Sequence, residues 1–387
     1  MSQSTIESPV LVPTGATGPT AAPRHDATWI DNTTAALAPA WYPVALAGEL
    51  GDDAPVAVEL LGTWWVLARL GGELTAFVDE CPHRLIPLSD GAICDATLQC
   101  AYHGWRFDAE GTCTEVPSAG PGAVIPGRAR LRRAAGVQER YGLIWLAPAT
   151  PVCALPDLPD FEDPSFEVRH DEPVRTTAGF GQCMDNFVDT SHFLMVHAGT
   201  FGGDAAALAQ PRTVERDGWV VTADYETPYT VLDDPRVLSG ELPAEQVSPQ
   251  RKTFVPGSLM VLRMEFPLTD SVFSIVITAQ PEHAGSTRIY RLWARNDIVG
   301  DEERWQEHLR VERAVMAEDL TTFASYRDDR LPLDLRREVH VGADKLSVAY
   351  RRVLAELHDH GVAQGRGAAA TPPGVPSPVS RRGATPG

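Results

Sequence analysis

The sequence has 387 residues and no run of about 18 consecutive apolar ones, so nothing in it reads as a transmembrane span. Met1 to Thr28 lacks a basic start followed by an apolar stretch. No secretory leader is therefore expected, and a cytoplasmic location is the default. Lysine is nearly missing: Lys252 and Lys345 apart, the positive charge is arginine. Lys and Arg total 33 against 52 Asp and Glu, a formal net charge of −19. Phosphate binding needs clustered positive charge, so no nucleic-acid partner is expected. The six cysteines, Cys81, Cys94, Cys100, Cys113, Cys153 and Cys183, are too sparse for a disulfide scaffold. Cysteines close to histidines in such a chain point to metal instead. There is no Gly-rich dinucleotide fingerprint, so any nicotinamide would be used by a partner. The composition, 43% hydrophobic and 22% charged, is that of an ordinary globular protein, and the length suggests two domains.

Residues 1–28 and roughly 362–387 are poor in aromatics and rich in Pro, Gly, Ala, Ser and Thr. Such segments cannot bury enough apolar surface to order themselves. We take 1–40 as a mostly disordered extension and 362–387 as a disordered tail. From Trp41 to Pro148, short β-like runs are broken by Gly, Pro and Asp. Val56–Leu61, Trp64–Leu70, Thr75–Val78 and Tyr141–Leu146 are the clearest, and Gly71-Gly72 predicts a hairpin turn. This defines an all-β domain, 41–150. After the Pro-rich connector Leu155–Pro159, the pattern predicts a helical stretch over Gly181–His197. Strands are expected at Trp219–Tyr225, Leu259–Phe266, Ser271–Ala279 and Thr287–Ala294, and helices at Asp301–Tyr326 and Ala343–His360. Strands followed by helices imply an α+β domain, 151–361. Asp233–Gln250 has no clear period and is read as a candidate lid.

The strongest chemical signal is Cys81-Pro82-His83, then sixteen residues, then Cys100-Ala101-Tyr102-His103. Two short loops each offer a thiolate and an imidazole. This is the donor set of a Rieske cluster, in which two cysteines hold one iron and two histidines the other. Zinc also accepts two cysteines and two histidines, but a zinc finger pairs its cysteines in one knuckle and its histidines in the other. Cys94 and Cys113, beside the second loop, are read as small buried hydrophobes.

A second constellation lies in Asn186-Phe187-Val188-Asp189-Thr190-Ser191-His192-Phe193-Leu194-Met195-Val196-His197. On a helix Asp189 and His192 share a face. His192 and His197 are about 140° apart on an ideal helix, so they converge only if the helix loosens near His197, and Ala198-Gly199 supplies an ending. Two histidines and a carboxylate on one side of an iron leave positions open for O2 and substrate. The candidate carboxylate is Asp319. In the predicted helix Asp301–Tyr326, the residues Trp305, Leu309, Met316, Leu320 and Phe323 form an apolar stripe with Asp319 at its edge and Glu318 on the solvent side. A carboxylate facing a core needs a cation, either iron or an arginine. Asp328 and Asp329 are weaker candidates.

Cys81-Pro82-His83-Arg84 and Cys100-Ala101-Tyr102-His103-Gly104-Trp105 resemble the cluster loops of the Rieske ring-hydroxylating and demethylating oxygenases, as do Trp41-Tyr42-Pro43-Val44 and Gly142-Leu143-Ile144-Trp145. Respiratory-chain Rieske proteins carry an extra cysteine in each loop, absent here. The Asn-x-x-Asp-x-x-His-x-x-x-x-His string resembles the vanillate-demethylase and ketosteroid-hydroxylase branch, and Glu318-Asp319 resembles that branch's downstream ligand. The resemblance spans about residues 41–350. It implies an N-terminal all-β Rieske [2Fe-2S] domain and an α+β catalytic domain with an antiparallel, helix-grip-like sheet. It implies cluster ligands Cys81, His83, Cys100 and His103, mononuclear Fe(II) ligands His192, His197 and Asp319, and catalytic roles for Asp189 and Asn186. It further implies a head-to-tail homotrimer in which Asp189 bridges one subunit's iron to the next subunit's cluster. Electrons would come from NAD(P)H through a reductase or ferredoxin, with O2 as co-substrate.

The reading that follows is an oxygenase component that hydroxylates or oxidatively O- or N-demethylates a small organic substrate. A cis-dihydroxylating dioxygenase, an electron-transfer Rieske protein with an inert second domain, and a zinc-stabilised binding protein are the alternatives. The second predicts no mononuclear metal, and the third a colourless protein without acid-labile sulfide. Asp189 as a mere helix-stabilising carboxylate also stays open. Arg84, Arg106, Arg128, Arg130, Arg132 and Arg133 are either a docking patch for an acidic ferredoxin or scattered surface charge. Phe193, Met195 and Phe201 are pocket candidates, though such residues are more often core.

Overall fold

A computed structural model describes residues 29–200, 211–231 and 235–369. The first twenty-eight residues and the last eighteen lie outside these, so most of both expected disordered ends cannot be compared. Residues 29–40, assigned by sequence to the disordered extension, are built into the protein. Strand β1 (Trp29–Ile30) pairs with β20 (Leu331–Pro332), and Ile30 and Leu37 are buried. Asn32, fully buried, is why this segment is fixed: its amide donates to Ser286 O (2.8 Å) and Thr287 Oγ1 (2.9 Å) and accepts from the Phe180 amide (2.8 Å). A low-aromatic sequence gave no hint of these long-range bonds.

The N-terminal part is all β. Strand β2 (Tyr42–Leu46) pairs with β11 (Leu143–Ala147), which pairs with β10 (Gly136–Arg140). Strands β3 (Val56–Leu60), β4 (Thr63–Leu70) and β5 (Glu73–Val78) form a meander, and the β4–β5 turn falls on Gly71 and Gly72, both at positive φ. Strands β6 (Ala92–Cys94), β7 (Thr97–Gln99), β8 (Arg106–Phe107) and β9 (Cys113–Glu115) form a small four-stranded sheet.

The second part is one antiparallel sheet with helices. Strands β12 (Glu167–His170) and β13 (Val174–Thr176) both pair with β19 (Ser286–Arg295). The sheet then runs from β19 through β18 (Ser271–His283), β17 (Leu259–Phe266), β16 (Glu245–Val255) and β15 (Val220–Thr230) to β14 (Thr213–Asp217). The long strand β15 extends well past the expected Trp219–Tyr225, and β16 was not expected from the sequence at all. Thr230 pairs with Glu245, so the last third of the expected lid, 245–250, is strand; it reads as irregular because Pro249 and exposed charges interrupt its alternation. Within the same stretch Pro235–Leu238 forms a short helix, α3, while 232–234 lie outside the described residues.

Helix α1 (Phe180–Val188) is followed by α2 (Phe193–Val196). The long α4 (Glu302–Phe323) is capped by Asp301, whose side chain accepts from the Arg304 amide, and α5 runs from Lys345 to Ala369. The chain is therefore helical to 369, beyond the expected start of the tail at 362. One core joins both parts: Val44, Leu60 and Leu67 pack in the same cluster as Phe180, Met184 and Tyr350. The β3–β4 turn also docks on β18, through Leu61 N to Pro281 O (2.7 Å) and Gly62 N to Glu282 O (2.8 Å). No helix among the described residues is long and apolar enough to cross a membrane.

Candidate metal centres

The first constellation sits in two turns at the end of the N-terminal sheets. Each is tied by its own backbone: Cys81 N donates to Ile86 O (2.9 Å) and Leu85 N to Cys81 O (2.8 Å) in one, Cys100 N to Trp105 O (2.8 Å) and Gly104 N to Cys100 O (3.0 Å) in the other. Asp79 braces the first turn by accepting from the Leu88 and Ser89 amides (2.6 and 2.8 Å). The structure pairs the four predicted ligands two by two, thiol with thiol and imidazole with imidazole. Cys81 and Cys100 are buried and their thiols interact. The His83 ring lies 4.6 Å from the His103 ring and stacks on Trp105 at 4.6 Å.

These residues fit an iron–sulfur cluster. Burial, and then the neighbouring Cys100, pushes the Cys81 thiol up to about 11, so two thiolates here need a cation. His83 Nδ1 is buried with no hydrogen-bond partner among the described residues, the state of a ligand atom facing a metal. Desolvation, then His103 and Arg84, hold His83 below its usual pKa, which keeps the ring neutral as a ligand must be. His103 and Tyr102 are exposed, so one edge of the site is open to another molecule. Cys113 is buried as expected, whereas Cys94 is only half-buried and points its thiol at Gln99 Oε1 (3.1 Å). Half of the six arginines around this site are already paired. Arg106 meets Asp95 (3.1 Å), Arg132 meets Glu80 (3.1 Å), and Arg133 meets Glu73 (2.7 Å) and Glu110 (3.0 Å).

The second constellation differs locally from the sequence reading. The expected continuous helix through His197 breaks at Asp189, which caps α1 in an extended conformation. Asp189 and His192 therefore do not share one helix face. Instead the Asp189 carboxylate accepts from the amides of Ser191 (3.0 Å) and His192 (2.9 Å), a local turn that competes with helix, and from the His192 ring Nδ1 (2.9 Å). The turn swings His192 and His197 onto one side. Asp319, 4% exposed, comes to them from α4: its Oδ1 is 3.7 Å from His192 Nε2 and 3.4 Å from His197 Nε2. One donor atom from each of the three lies within 4.8 Å of the others. Asp328 and Asp329 are not in this group; Asp328 pairs with Arg330 at 2.6 Å.

Both histidines are held at the far nitrogen by a carboxylate. Asp189 holds His192, and Glu318 Oε2 lies 2.8 Å from His197 Nδ1. A proton on each Nδ1 leaves each Nε2 lone pair directed at Asp319, the tautomer a metal requires. Sequence reasoning placed Glu318 on the solvent side of α4. The structure corrects this, because the loop after α2 packs on that flank: Thr200 Oγ1 donates to Glu318 (2.9 Å), and a Cβ on Gly199 would meet Glu318 Oε1 at 3.1 Å. Asn186 donates to Asp319 Oδ1 (2.9 Å). Burial opposes ionisation of Asp189, but the bonds from the His192 ring and the Ser191 and His192 amides win and hold its pKa far below the usual carboxylate range. Burial likewise opposes a charge on His197, yet Asp319 and Glu318 raise its pKa, so the pocket between them favours positive charge. The donor set thus fits a divalent iron.

Above this triad is a cavity of about 500 Å³ with largely apolar walls, including Met260, Leu262, Phe266 and Ile275. Of the expected lining residues, Phe193 is there, Met195 is 79% exposed and points away, and Phe201 lies outside the described residues. Sequence reasoning missed Lys252. Its Nζ donates to three successive carbonyls, those of Phe187, Val188 and Asp189, at 3.1 Å each, satisfying the end of α1. The available signal was one of only two lysines, placed among strand residues.

Residues 40–133 match the model of the Rieske [2Fe-2S] domain, and 177–360 that of the vanillate O-demethylase oxygenase C-terminal domain. The chain is 30% identical over 326 residues to methylxanthine N1-demethylase NdmA of Pseudomonas putida, covering 82% of this chain and 88% of that protein. It is 36% identical over 187 residues to the oxygenase component of dicamba O-demethylase of Stenotrophomonas maltophilia, covering 46% of this chain and 53% of that protein. The solved structure of P. putida NdmA with caffeine superposes with a TM-score of 0.70 at 29% identity, covering 90% of this chain and all of that one.

Proposed function

The chain belongs to the Rieske non-haem iron oxygenases as an oxygenase component, and we propose that it oxidatively removes a methyl group from a small N- or O-methylated ring compound. An oxygenase component implies a reductase or ferredoxin partner that supplies its electrons. The single observation that carries the proposal is the placing of His192, His197 and Asp319 at the wall of a roughly 500 Å³ apolar cavity. When bound, the cluster passes electrons on and the iron activates O2. The balance is one oxygen atom into a methyl C–H bond and one released as water, with two electrons and one proton from NAD(P)H and the second proton from the medium. The hydroxymethyl product then loses formaldehyde.

The chain's own residues hold this chemistry in place. Asp189 and Glu318 fix the histidine tautomers, and Asn186 fixes the Asp319 oxygen that faces both rings. Lys252 ties the end of α1 to β16 and so anchors the Asp189 turn. The apolar wall excludes water, which strengthens each of these polar contacts. The reading of 41–150 and 151–361 as the two functional units is supported by the two family matches.

The head-to-tail trimer is part of the same proposal. Exposed His103 and Tyr102 at one site, and a partly exposed Asp189 carboxylate at the other, support electron transfer between neighbouring copies. The four cysteines outside the cluster ligands form no disulfide, which supports a reducing compartment and hence the cytoplasm. The test is formaldehyde release coupled to NADH oxidation by a generic reductase system, with N-methylated heterocycles and aryl methyl ethers as substrates. Turnover with stoichiometric formaldehyde is expected. Ring diols, or NADH oxidation without product from any substrate, would reject demethylation.

A further inference from the structure

The cavity wall has a charge pattern that the reaction above leaves unused. Its cations are already engaged. Lys252 spends all three Nζ protons on backbone carbonyls, leaving none for a substrate anion. His308 is boxed edge-on by Phe273 (5.0 Å), Trp293 (5.5 Å) and Trp305 (5.4 Å). Burial, then Arg295, pushes its pKa down to about 4, so it is neutral. Arg295 and Arg291, behind the wall, bind Asp297 (2.8 Å) and Asp171 (3.0 Å).

Glu312 is the opposite case. It lines the cavity on the same face of α4 as His308, Val315 and Asp319. Its backbone oxygen accepts from Arg291 Nη1 (2.8 Å), but its carboxylate has no cation within 4.0 Å among the described residues. The neighbouring Trp293 indole N–H is directed at the carboxylate and favours its ionised form, but is short of full hydrogen-bonding geometry and carries no charge to pair with it. Desolvation raises the Glu312 pKa; Arg291, the Trp293 indole, Arg295 and His197 oppose it but offset it only in part. A lone carboxylate on an apolar wall is costly unless something pairs with it. Seven residues of helix place Glu312 about 10 Å along the axis from Asp319. A ring compound with its methyl at the triad would therefore present its far end to Glu312.

We propose that Glu312 determines specificity by receiving a protonated nitrogen at the far end of the substrate, so that the substrate is a methylated compound bearing a cationic amine and not an aryl carboxylate or sulfonate. This rests on the demethylation reading.

The test uses iron-loaded enzyme without O2 and three matched probes: 4-methoxybenzylamine, 4-methoxybenzamide and 4-methoxybenzoate. Calorimetry should show the wild type binding the amine about tenfold more tightly than the amide, with the benzoate weakest. Glu312→Gln should bring the amine to within about twofold of the amide, and Glu312→Asp should keep part of the preference. The proposal is overturned if the wild type fails to bind the amine, prefers the amide or benzoate, or keeps its ranking in Glu312→Gln. Formaldehyde release with O2 and reductase separates the two readings. A Glu312-dependent preference without formaldehyde rejects demethylation and keeps Glu312. Formaldehyde from the amide or benzoate with no preference for the amine does the reverse.

Discussion

The two candidate metal centres are built in opposite ways. The cluster site is local: two turns, sixteen residues apart, present four donors, and each turn is closed by its own main chain. The iron site is assembled from afar: two histidines from a broken helix meet an aspartate from α4, and side-chain carboxylates, not backbone, set the orientation. One site is open at an edge, as electron entry requires. The other is buried beneath an apolar cavity, as oxygen chemistry requires. A site closed by main chain tolerates side-chain changes around it. A site held by side chains depends on each of them.

The sharpest break in this comparison should come from the ligands. His192→Ala should abolish turnover and lose the mononuclear iron while the cluster spectrum persists; Cys81→Ala should lose the cluster spectrum. Loss of both centres in His192→Ala, measured by metal analysis and visible absorption, would contradict their independence. Next in size are the orienting carboxylates. Glu318→Gln should weaken iron binding by about 10- to 100-fold, as second-shell changes do, whereas Asp189→Asn should lower turnover by a similar factor while iron is kept. An unchanged iron titration in Glu318→Gln would deny Glu318 its role.

A third test uses pH. His308 has its pKa pushed down to about 4 from 6.5 in the folded protein. As pH falls below 6.5, the unfolded chain takes up a proton that the native state refuses. Stability is therefore lost between pH 6.5 and 4, by up to roughly 3 kcal/mol. In urea unfolding, His308→Phe should show a shallower decline over that window than the wild type; parallel curves would refute the assignment. The smallest effect belongs to the surface beside the cluster. Arg132→Ala removes an exposed pair with Glu80 (3.1 Å) and should change stability by less than about 1 kcal/mol. A larger loss in the same urea assay would mean that the cluster region depends on side chains after all.

Much of this was legible in the sequence because it is local. The strands of the N-terminal domain are short apolar runs broken by Gly, Pro and Asp, Gly71-Gly72 marks its hairpin, and cysteine–histidine spacing within a turn is itself chemistry. Strand β16 was hidden because Pro249 and surface charges mask its period, and the buried segment 29–40 because its anchor, Asn32, is a single polar residue. In the second site the motif pointed to His192 and His197. It did not reveal that Asp189 breaks the helix, since a side chain bonding two following amides outcompetes helical continuation only once those amides are placed.

The sequence by itself determined which residue types are available as ligands, the stripe of α4 that turns inward, and the two-part β then α+β order. Only the tertiary structure decided that Glu318 grips His197, that Lys252 is fully spent on three carbonyls, and that the Glu312 carboxylate lines the cavity without a paired cation among the described residues. Helical period fixes which face a residue lies on. What approaches that face is set by packing between segments distant in sequence, 121 residues for Glu318 and His197 and 63 for Lys252 and Asp189, and the energy of a buried charge depends on that neighbour.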